Sequence, residues 1–595
     1  MKSFVKMTLA TLIGLILFSI VSTFITLGII GALAGMGKQP PVMPQSAVLT
    51  MDMSTVMLTE QTREADPLTM LQSKGSAMEI QMLGIYDAIQ AINTAAHDPA
   101  VKFIYMKPDA VMGGMAQIEE LRTALVNFRA SGKALVSYIE NPTNAGYYLA
   151  SASDKIFMTS LDGGMNMFTG ASTQMIFLKD LLDRLGINVQ LIRHGKYKSA
   201  GEMFVRSSSS KENLEQNKAL INSLWDNWTT EICISRNLSP AYLNLMLDNL
   251  ELNFPSDFLE RGLVDELVTP EQMRQKLTDL FVADKPKDVK TISLQDYAKV
   301  RSLINLHPKG KVAVIYADGE IMDGKELQQV AGDRFARIIS EIRQDSTIKA
   351  AVLRVNSPGG SVLASEKIKA EIALLKEKMP VVASYGNYAA SGGYWISAGC
   401  DKIFSNATTL TGSIGVFSMI PDFSKTIEKR LHVGVNSVNS SRHADMYGML
   451  RPLTDKETAY MQASVDNIYN RFTSLVAEGR DMSVSEVDNI AQGRVWSGAE
   501  AHGINLVDQI GTIEDAIRWA ALSIDGVVAV EEVQVIGYPK PLTTLEMLVE
   551  SLNAPKEQNI LAGTPFRSIG EAFAGWDPSS SGKVYARMPY ELIIR

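Results

Sequence analysis

Cysteine is almost missing. Cys233 and Cys400 are the two in 595 residues, far apart and outside any CxxC pattern. Zinc ribbons and a disulfide framework are thereby excluded; two buried thiols are the expectation, with one bridge between them the lesser alternative. Runs of Lys and Arg are missing as well, and the net charge is −8. A phosphate backbone is held by clustered cations, so nucleic acid is not expected as a partner. No phosphate-binding loop is present either: GMGKQP, ending at Pro40, lacks the leading glycine and the Ser/Thr of a Walker loop.

Histidine is scarce. His97, His194, His307, His432, His443 and His502 are the six, and no Ser-His-Asp triad can be read among them. His194 and His443 lie near interesting segments, but neither has an evident carboxylate partner in the sequence. What is abundant is apolar residue, 46% against 21% charged, which describes a globular chain with an apolar addition rather than a disordered one. Its length calls for several domains.

The apolar addition lies at the start. Lys2 and Lys6 precede an uncharged stretch from Met7 to Gly37, and Lys38 follows it. A hydrocarbon core about 30 Å thick needs roughly 20 such residues. Lysines on the N-terminal side favour a cytoplasmic N-terminus with the bulk of the chain outside. Ala32-Leu33-Ala34 resembles a signal-peptidase site, yet the run far exceeds the roughly 7–15 residues of a secretory signal core. The length favours a retained anchor.

Beyond it the chain is written twice. DPAVKFIYMK (98–107) matches DSTIKAAVLR (345–354), MGGM (112–115) matches PGGS (358–361), and GYYLASASDKIF (146–157) matches GYWISAGCDKIF (393–404). RGLVDEL (261–267) matches HGINLVDQI (502–510), which puts His502 at the position of Arg261 and marks it as a surface choice. The offset through the best-matched part is a constant 247 residues. Ordered blocks at one spacing indicate duplication. Within each unit buried strands alternate with helical patterns: in the second, strands over VAVIYADG, AAVLRV and PVVASYG, and helices over 333–345 and 361–378. That alternation predicts an α/β fold.

Two glycine-rich segments carry the chemistry. NSPGGSV (356–362) joins a strand to a helix, with Ser361 suited to cap the helix and two glycines able to present N–H groups to an oxyanion. NYAASGGYWISAG (387–399) sets Ser391 at a helix start with the Gly392 N–H behind it, an arrangement suited to acyl transfer. Each alone would more often be a tight turn or a close helix contact; their pairing about 30 residues apart is far more specific. A serine nucleophile needs a base, and a desolvated lysine can serve. RHGKYKSAGEMF (193–204), with Lys196 and Lys198 after the apolar VQLI, is the candidate stretch.

On these residues the chain resembles the long, duplicated form of signal peptide peptidase A (protease IV), peptidase family S49. The matching segments are NSPGGSV, AASGGYWISAGCDKIFSN, LTGSIGVF and GKYKSAGEMF. The resemblance implies tandem ClpP/crotonase-like domains of repeated ββα units after an N-terminal transmembrane helix. Residues 1–37 would be the anchor, 38–305 the first domain, 306–540 the second and 541–595 a tail. It implies Ser391 as nucleophile and Lys198 as general base, with Lys196 a bystander. It further implies Gly392 with Gly359 or Gly360 as oxyanion donors, and Ser413 as hydrogen-bond partner of the lysine amine. No metal or other cofactor is implied. The implied partners are remnant signal peptides, other membrane-associated peptides, the bilayer and further copies of the chain, on the periplasmic side of the inner membrane. The duplication adds a check: the position equivalent to Ser391 is Asn144 and, with the offset of 246 that holds between Leu185 and Leu431, that equivalent to Lys198 is Ala444. Each half has kept what the other dropped. Two rival readings stand beside the peptidase: a non-catalytic membrane scaffold that retains the fold, and acyl-CoA chemistry on a crotonase-like frame, which would leave Lys198 without a role.

Overall fold

The computed structural model describes residues 2–35, 41–63, 80–301, 305, 307–327, 329–542, 546 and 585–588. The expected anchor falls on a helix over Lys2–Gly35, some of whose side chains lie outside the described residues. Among the described residues, no helix is long and apolar enough to cross a membrane.

Two parallel sheets carry the rest. In the first, β1 (Ala47–Asp52), β2 (Val101–Lys107), β3 (Leu135–Ile139), β4 (Lys155–Thr159), β5 (Glu266–Val268) and β6 (Thr291–Ser293) lie in the order β6-β1-β2-β3-β4-β5. The second sheet has two short extra strands, Leu410–Gly412 beside the end of its strand Val381–Ala390 and Val495–Ser497 antiparallel to that one, and six that correspond to the first: β7 (Gly310–Asp318), β8 (Ile348–Ser357), β9 (Val381–Ala390), β10 (Lys402–Ser405), β11 (Gln509–Ile510) and β12 (Val533–Tyr538). Their order is β12-β7-β8-β9-β10-β11, rank for rank that of the first sheet. Every one of these pairings is parallel. Parallel sheets are covered on both faces, which is why VAVIYA and AAVL read as continuous apolar runs rather than alternating ones. The duplication seen in the sequence is thus present in the topology of this α/β fold.

The two units share one interior. A single apolar cluster contains Leu49, Ile104 and Leu135 of the first sheet together with Val312, Val352 and Ile517 of the second unit. Cys233 and Cys400 are both buried free thiols, so the two are not bridged.

A buried ion cluster locks the units in register. Arg354 on β8 is wholly buried, and its guanidinium reaches Glu60 at 2.6 Å and Glu120 at 2.9 and 3.1 Å. Glu120 also accepts from the Asn406 amide at 3.0 Å and the Ile513 N–H at 2.9 Å, both in the second unit. Next to it, Glu119 accepts the N–H groups of Ala407 and Thr408 at 2.9 and 3.0 Å. The first unit's helix over Met115–Ala130 is therefore bolted to the second unit by two adjacent carboxylates.

A third, mixed sheet crosses the boundary. The first unit's strand Asn188–His194 runs antiparallel to the second unit's Val416–Asp422, from Val416 opposite His194 to Asp422 opposite Asn188. Neither strand has a counterpart in the other unit's parallel sheet.

Replacing Arg354 alone leaves the buried Glu60 and Glu120 carboxylates without the cation that balances them. Arg354→Ala is expected to destabilise the chain by about 3–5 kcal/mol. Arg471→Ala, which removes an exposed pair with Glu366, costs under about 1 kcal/mol. Urea unfolding of the two variants beside the parent checks the contrast.

Candidate active site

Ser391 stands where β9 ends and a short helix, Gly392–Ser397, begins. Its backbone has φ 56° and ψ −112°, a sparsely populated conformation for a residue with a side chain, worth on the order of 1–3 kcal/mol of strain. Such a turn holds a hydroxyl out from the chain at the head of a helix. The strained turn is held at both ends: the Ser391 N–H donates to the Gly412 carbonyl, and its own carbonyl accepts from the Trp395 N–H, each at 2.8 Å. The glycines that follow are demanded by packing. A Cβ on Gly393 would lie 2.7 Å from the Ser357 carbonyl oxygen, and one on Gly392 would lie 2.8 Å from Ser365 Oγ. Close packing and presentation of the serine are here the same requirement.

Lys198 follows the strand Asn188–His194 through a tight loop. Gly195 turns it with φ 109°, and the Tyr197 N–H ties it to the Gln492 carbonyl at 2.9 Å. Arg193 donates to the Lys198 carbonyl at 2.8 Å and pairs with buried Glu202 at 3.2 Å. Glu202 in turn accepts from Ser210 Oγ at 2.7 Å. Lys196 is exposed, its ammonium over the Tyr197 ring.

The two loops meet. Lys198 Nζ lies 2.9 Å from Ser391 Oγ and 3.0 Å from both the carbonyl oxygen and Oγ of Ser413. All three residues have 0% exposure. Burial is the cause that holds the Lys198 amine well below its ordinary 10.5. A desolvated ammonium is unfavourable, so the neutral amine is favoured.

The glycine turn lies alongside. Gly359 has φ 99°, and a Cβ there would come within 2.6 Å of the Gly392 nitrogen, so the two glycines face each other across the site. Gly360 follows in the short strand Gly359–Ser361, and Ser361 caps the next helix by accepting the Ala364 N–H at 3.3 Å. The Gly392 N–H, at the first helical position, has no intrahelical acceptor.

The two histidines do have carboxylate partners, contrary to the expectation from the sequence. His194 Nδ1 lies 2.7 Å from Asp466, and His443 Nδ1 lies 2.8 Å from Glu457. Both carboxylates arrive from one distant helix, Asp455–Arg480, which spacing alone does not reveal. Both rings are thereby engaged away from the Ser391 hydroxyl, which meets Lys198.

Comparison with known proteins gives the family. The model of "Peptidase family S49" matches residues 127–283 and 373–525, spans that contain Lys198 and Ser391 respectively. The Protease 4 of Haemophilus influenzae is 34% identical over 74% of this chain and 72% of its own. The Protease 4 of Salmonella typhi is 35% identical over 80% and 77%. The chain belongs to peptidase family S49. It is a serine peptidase of the signal peptide peptidase A type. The chloroplastic serine protease SPPA of Arabidopsis thaliana is 30% identical over 82% of this S49 chain and 70% of its own. Among solved structures, a mutant ClpP1 from Listeria monocytogenes aligns with 34% of this chain and 93% of that one, at 18% identity and a TM-score of 0.24. That score is too low to assign a fold by likeness.

Gly493 was not foreseen. With φ 78°, it backs directly onto the lysine, and a Cβ there would lie 2.6 Å from Lys198 N and Cβ. Its sequence signal, a lone glycine in AQGRVW, is indistinguishable from an ordinary turn.

Two outcomes follow from the packing and the amine. Gly493→Ala displaces Lys198, and displacement of about 1 Å costs roughly 10²-fold in reactivity. The rate at which a serine-directed probe modifies Ser391 is expected to fall by that factor, whereas Gly132→Ala, at a positive-φ glycine with open space around it, leaves the rate unchanged. The second concerns stability. An unfolded lysine keeps its proton up to about 10.5 while the folded one releases it lower, so folding expels a proton in that window and stability rises with pH. Lys198→Met escapes this cost: its stability advantage over the parent shrinks by up to about 1.4 kcal/mol per pH unit as 10.5 is approached. Urea unfolding at three pH values reads the gap, and a constant gap means the buried amine stays protonated.

Proposed function

We propose that this S49 peptidase is a membrane-bound endopeptidase working through a Ser391–Lys198 dyad, and that it degrades remnant signal peptides and other apolar peptides. The observation that carries the reading is the 2.9 Å contact between Lys198 Nζ and Ser391 Oγ, two fully buried residues. A neutral amine has two N–H groups and one lone pair. Both oxygens of Ser413 stand ready for the two N–H groups, which leaves the lone pair for the Ser391 hydroxyl.

Lys198 takes the hydroxyl proton as Oγ attacks a peptide carbonyl. The negative charge forms on the carbonyl oxygen between the backbone N–H groups of Gly392 and of Gly359 or Gly360. The ammonium of Lys198 returns its proton to the leaving amine, and the peptide is left as an ester on Ser391. Water then attacks the ester as it loses a proton to the Lys198 amine, and the ammonium passes that proton to Ser391 Oγ as the bond to the acyl group breaks and the acid leaves. No carboxylate is needed to orient the base, because the three contacts on Nζ already hold it.

Membrane attachment is read from the uncharged stretch Met7–Gly37 taken over the whole sequence, with lysines ahead of it. An anchor there sets the domains on the periplasmic side, where apolar peptides collect at the bilayer. The ClpP/crotonase-like frame and a homo-oligomeric state belong to the same reading and rest on family membership.

A fluorophosphonate probe and an apolar peptide substrate test the dyad. Ser391→Ala is expected to abolish labelling, and Lys198→Ala to slow it about 10³–10⁴-fold. The labelling rate of the parent is expected to rise with pH until the amine has lost its proton. Labelling retained in Ser391→Ala, or undiminished in Lys198→Ala, refutes the assignment.

A further inference from the structure

Lys198 is backed by a segment that is itself strained. Gln492 and Gly493 both lie in the left-handed region, at φ 50° and 78°, and Gln492 carries a side chain there. Such a conformation persists only where its surroundings hold it. The segment touches every part of the site. The Gln492 carbonyl accepts the Tyr197 N–H at 2.9 Å, the Gly493 N–H donates to the Ile414 carbonyl at 2.8 Å, and the Arg494 carbonyl accepts the Ser413 N–H at 2.7 Å. Val495 then pairs with Gly412, whose carbonyl holds the Ser391 N–H. Packing is tight on both sides: a Cβ on Gly195 would lie 2.5 Å from the Gln492 carbonyl carbon, and one on Gly415 would lie 2.6 Å from Gly493 Cα and 3.1 Å from Lys198 Cδ.

Tyr469, on the helix Asp455–Arg480, holds that segment. Its hydroxyl donates to Asp488 Oδ1 at 2.5 Å and accepts the Gln492 backbone N–H at 3.3 Å and the Gln492 Nε2 amide at 3.2 Å. The same amide donates to Asp488 Oδ1 at 2.6 Å, so the three side chains close a ring of hydrogen bonds. The face of Tyr469 lies on the strand that leads to the lysine. Its ring stacks on the His194 imidazole, with centroids 3.9 Å apart and planes 15° from parallel. Asp466 holds that imidazole, and Gln462 donates both to Asp466 at 2.8 Å and to the Arg193 carbonyl at 3.3 Å. One buried side chain thus touches the strand that delivers Lys198 and the segment that walls it in.

We infer that Tyr469 is a positioning residue for the general base: its hydroxyl fixes the Gln492–Gly493 turn against Lys198 and so keeps the amine beside Ser391 and away from water. The inference rests on the Ser391–Lys198 dyad and extends it to the support of the base. The titratable groups around Tyr469 are His194 on the strand, Asp466 on its own helix and Asp488 on the helix Val484–Ile490. Lys198 Nζ meets Ser391 and Ser413, with Arg193 and Glu202 beside the lysine's backbone. Without the phenolic oxygen the Gln492 N–H loses its acceptor, and the strained turn loses part of its hold. A wall that draws back admits water to the amine, and a solvated amine keeps its proton to higher pH.

Tyr469→Phe tests this, because it keeps the ring on His194 and removes only the hydroxyl. Tyr447→Phe, which removes a hydroxyl donating to Met461 Sδ of the same helix, is the control. The rate at which a fluorophosphonate labels Ser391 in the full chain is measured against pH. Tyr469→Phe is expected to move the midpoint of the rise up by about one pH unit and to slow labelling about tenfold below it. The high-pH plateau stays largely in place, because Ser413 still holds the amine. Tyr447→Phe leaves the profile as it is. A role in folding alone would lower the rate by one factor at every pH, and that result, or an unchanged profile, overturns the inference. A second readout needs no activity. The pH at which the stability advantage of Lys198→Met begins to shrink marks proton release by the folded amine, and in the Tyr469→Phe background it is expected to rise by the same unit. If Ser391 labels and neither midpoint nor onset moves, the dyad stands and the role of Tyr469 falls. If the onset moves while Ser391 never labels, Tyr469 does hold the amine and the peptidase reading fails instead.

Discussion

The Lys198 amine and the Ser391 hydroxyl, 193 residues apart, meet at 2.9 Å inside protein, where burial disfavours a charged amine. Nearly every unusual feature of the molecule serves that contact. Arg354 holds Glu60 and Glu120 across the unit boundary, and Glu119 collects two backbone N–H groups beside them. Buried charges tolerate little displacement, because a pair pulled apart leaves each partner desolvated and unpaired. The ion cluster therefore suits a register-setting role better than it suits stability alone.

The second support is the antiparallel pairing of Asn188–His194 with Val416–Asp422. One strand leads into the Lys198 loop and the other leaves the Ser413 loop, so zipping them delivers the lysine to its partner. The pocket so formed costs stability in three ways: a lysine kept from water, a serine in a strained turn and glycines where any side chain would collide. Strain of this kind persists only where the surroundings over-determine it. Here strand, helix start and a neighbouring carbonyl all hold Ser391.

Duplication made a division of labour available. The position matching Ser391 is Asn144, whose side chain accepts the Gly170 N–H and donates to the Gly170 carbonyl, each at 3.0 Å, bracing a loop instead of presenting a nucleophile. Ala444, matching Lys198, lies exposed in a turn where Asp445 pairs with Arg451. The common sheet order persisted in both units while the strands that built the shared site diverged. On the proposed dyad each unit lends one strand and one reacting group, so that neither would act as a peptidase alone.

Much was legible from the chain written out. Period, buried apolar runs and a constant offset of 247 are local or additive properties, and they carried the α/β class, the duplication and the strand–turn–helix settings of Ser391 and Gly359. The family resemblance singled out Lys198 over Lys196, a choice the residues left open. Contacts between distant segments were a different matter. Nothing in AQGRVW marks Gly493 as the wall behind Lys198, and nothing in YAR marks it as a strand paired with Gly359–Ser361. The carboxylates of His194 and His443 were likewise invisible, since both come from a helix whose own pattern only says that it is amphipathic. Sequence by itself determined the elements and the chemical types at their ends, because those follow from backbone preference and burial. Only the tertiary structure decided which ends meet, because that depends on shape and on buried charge matched between units.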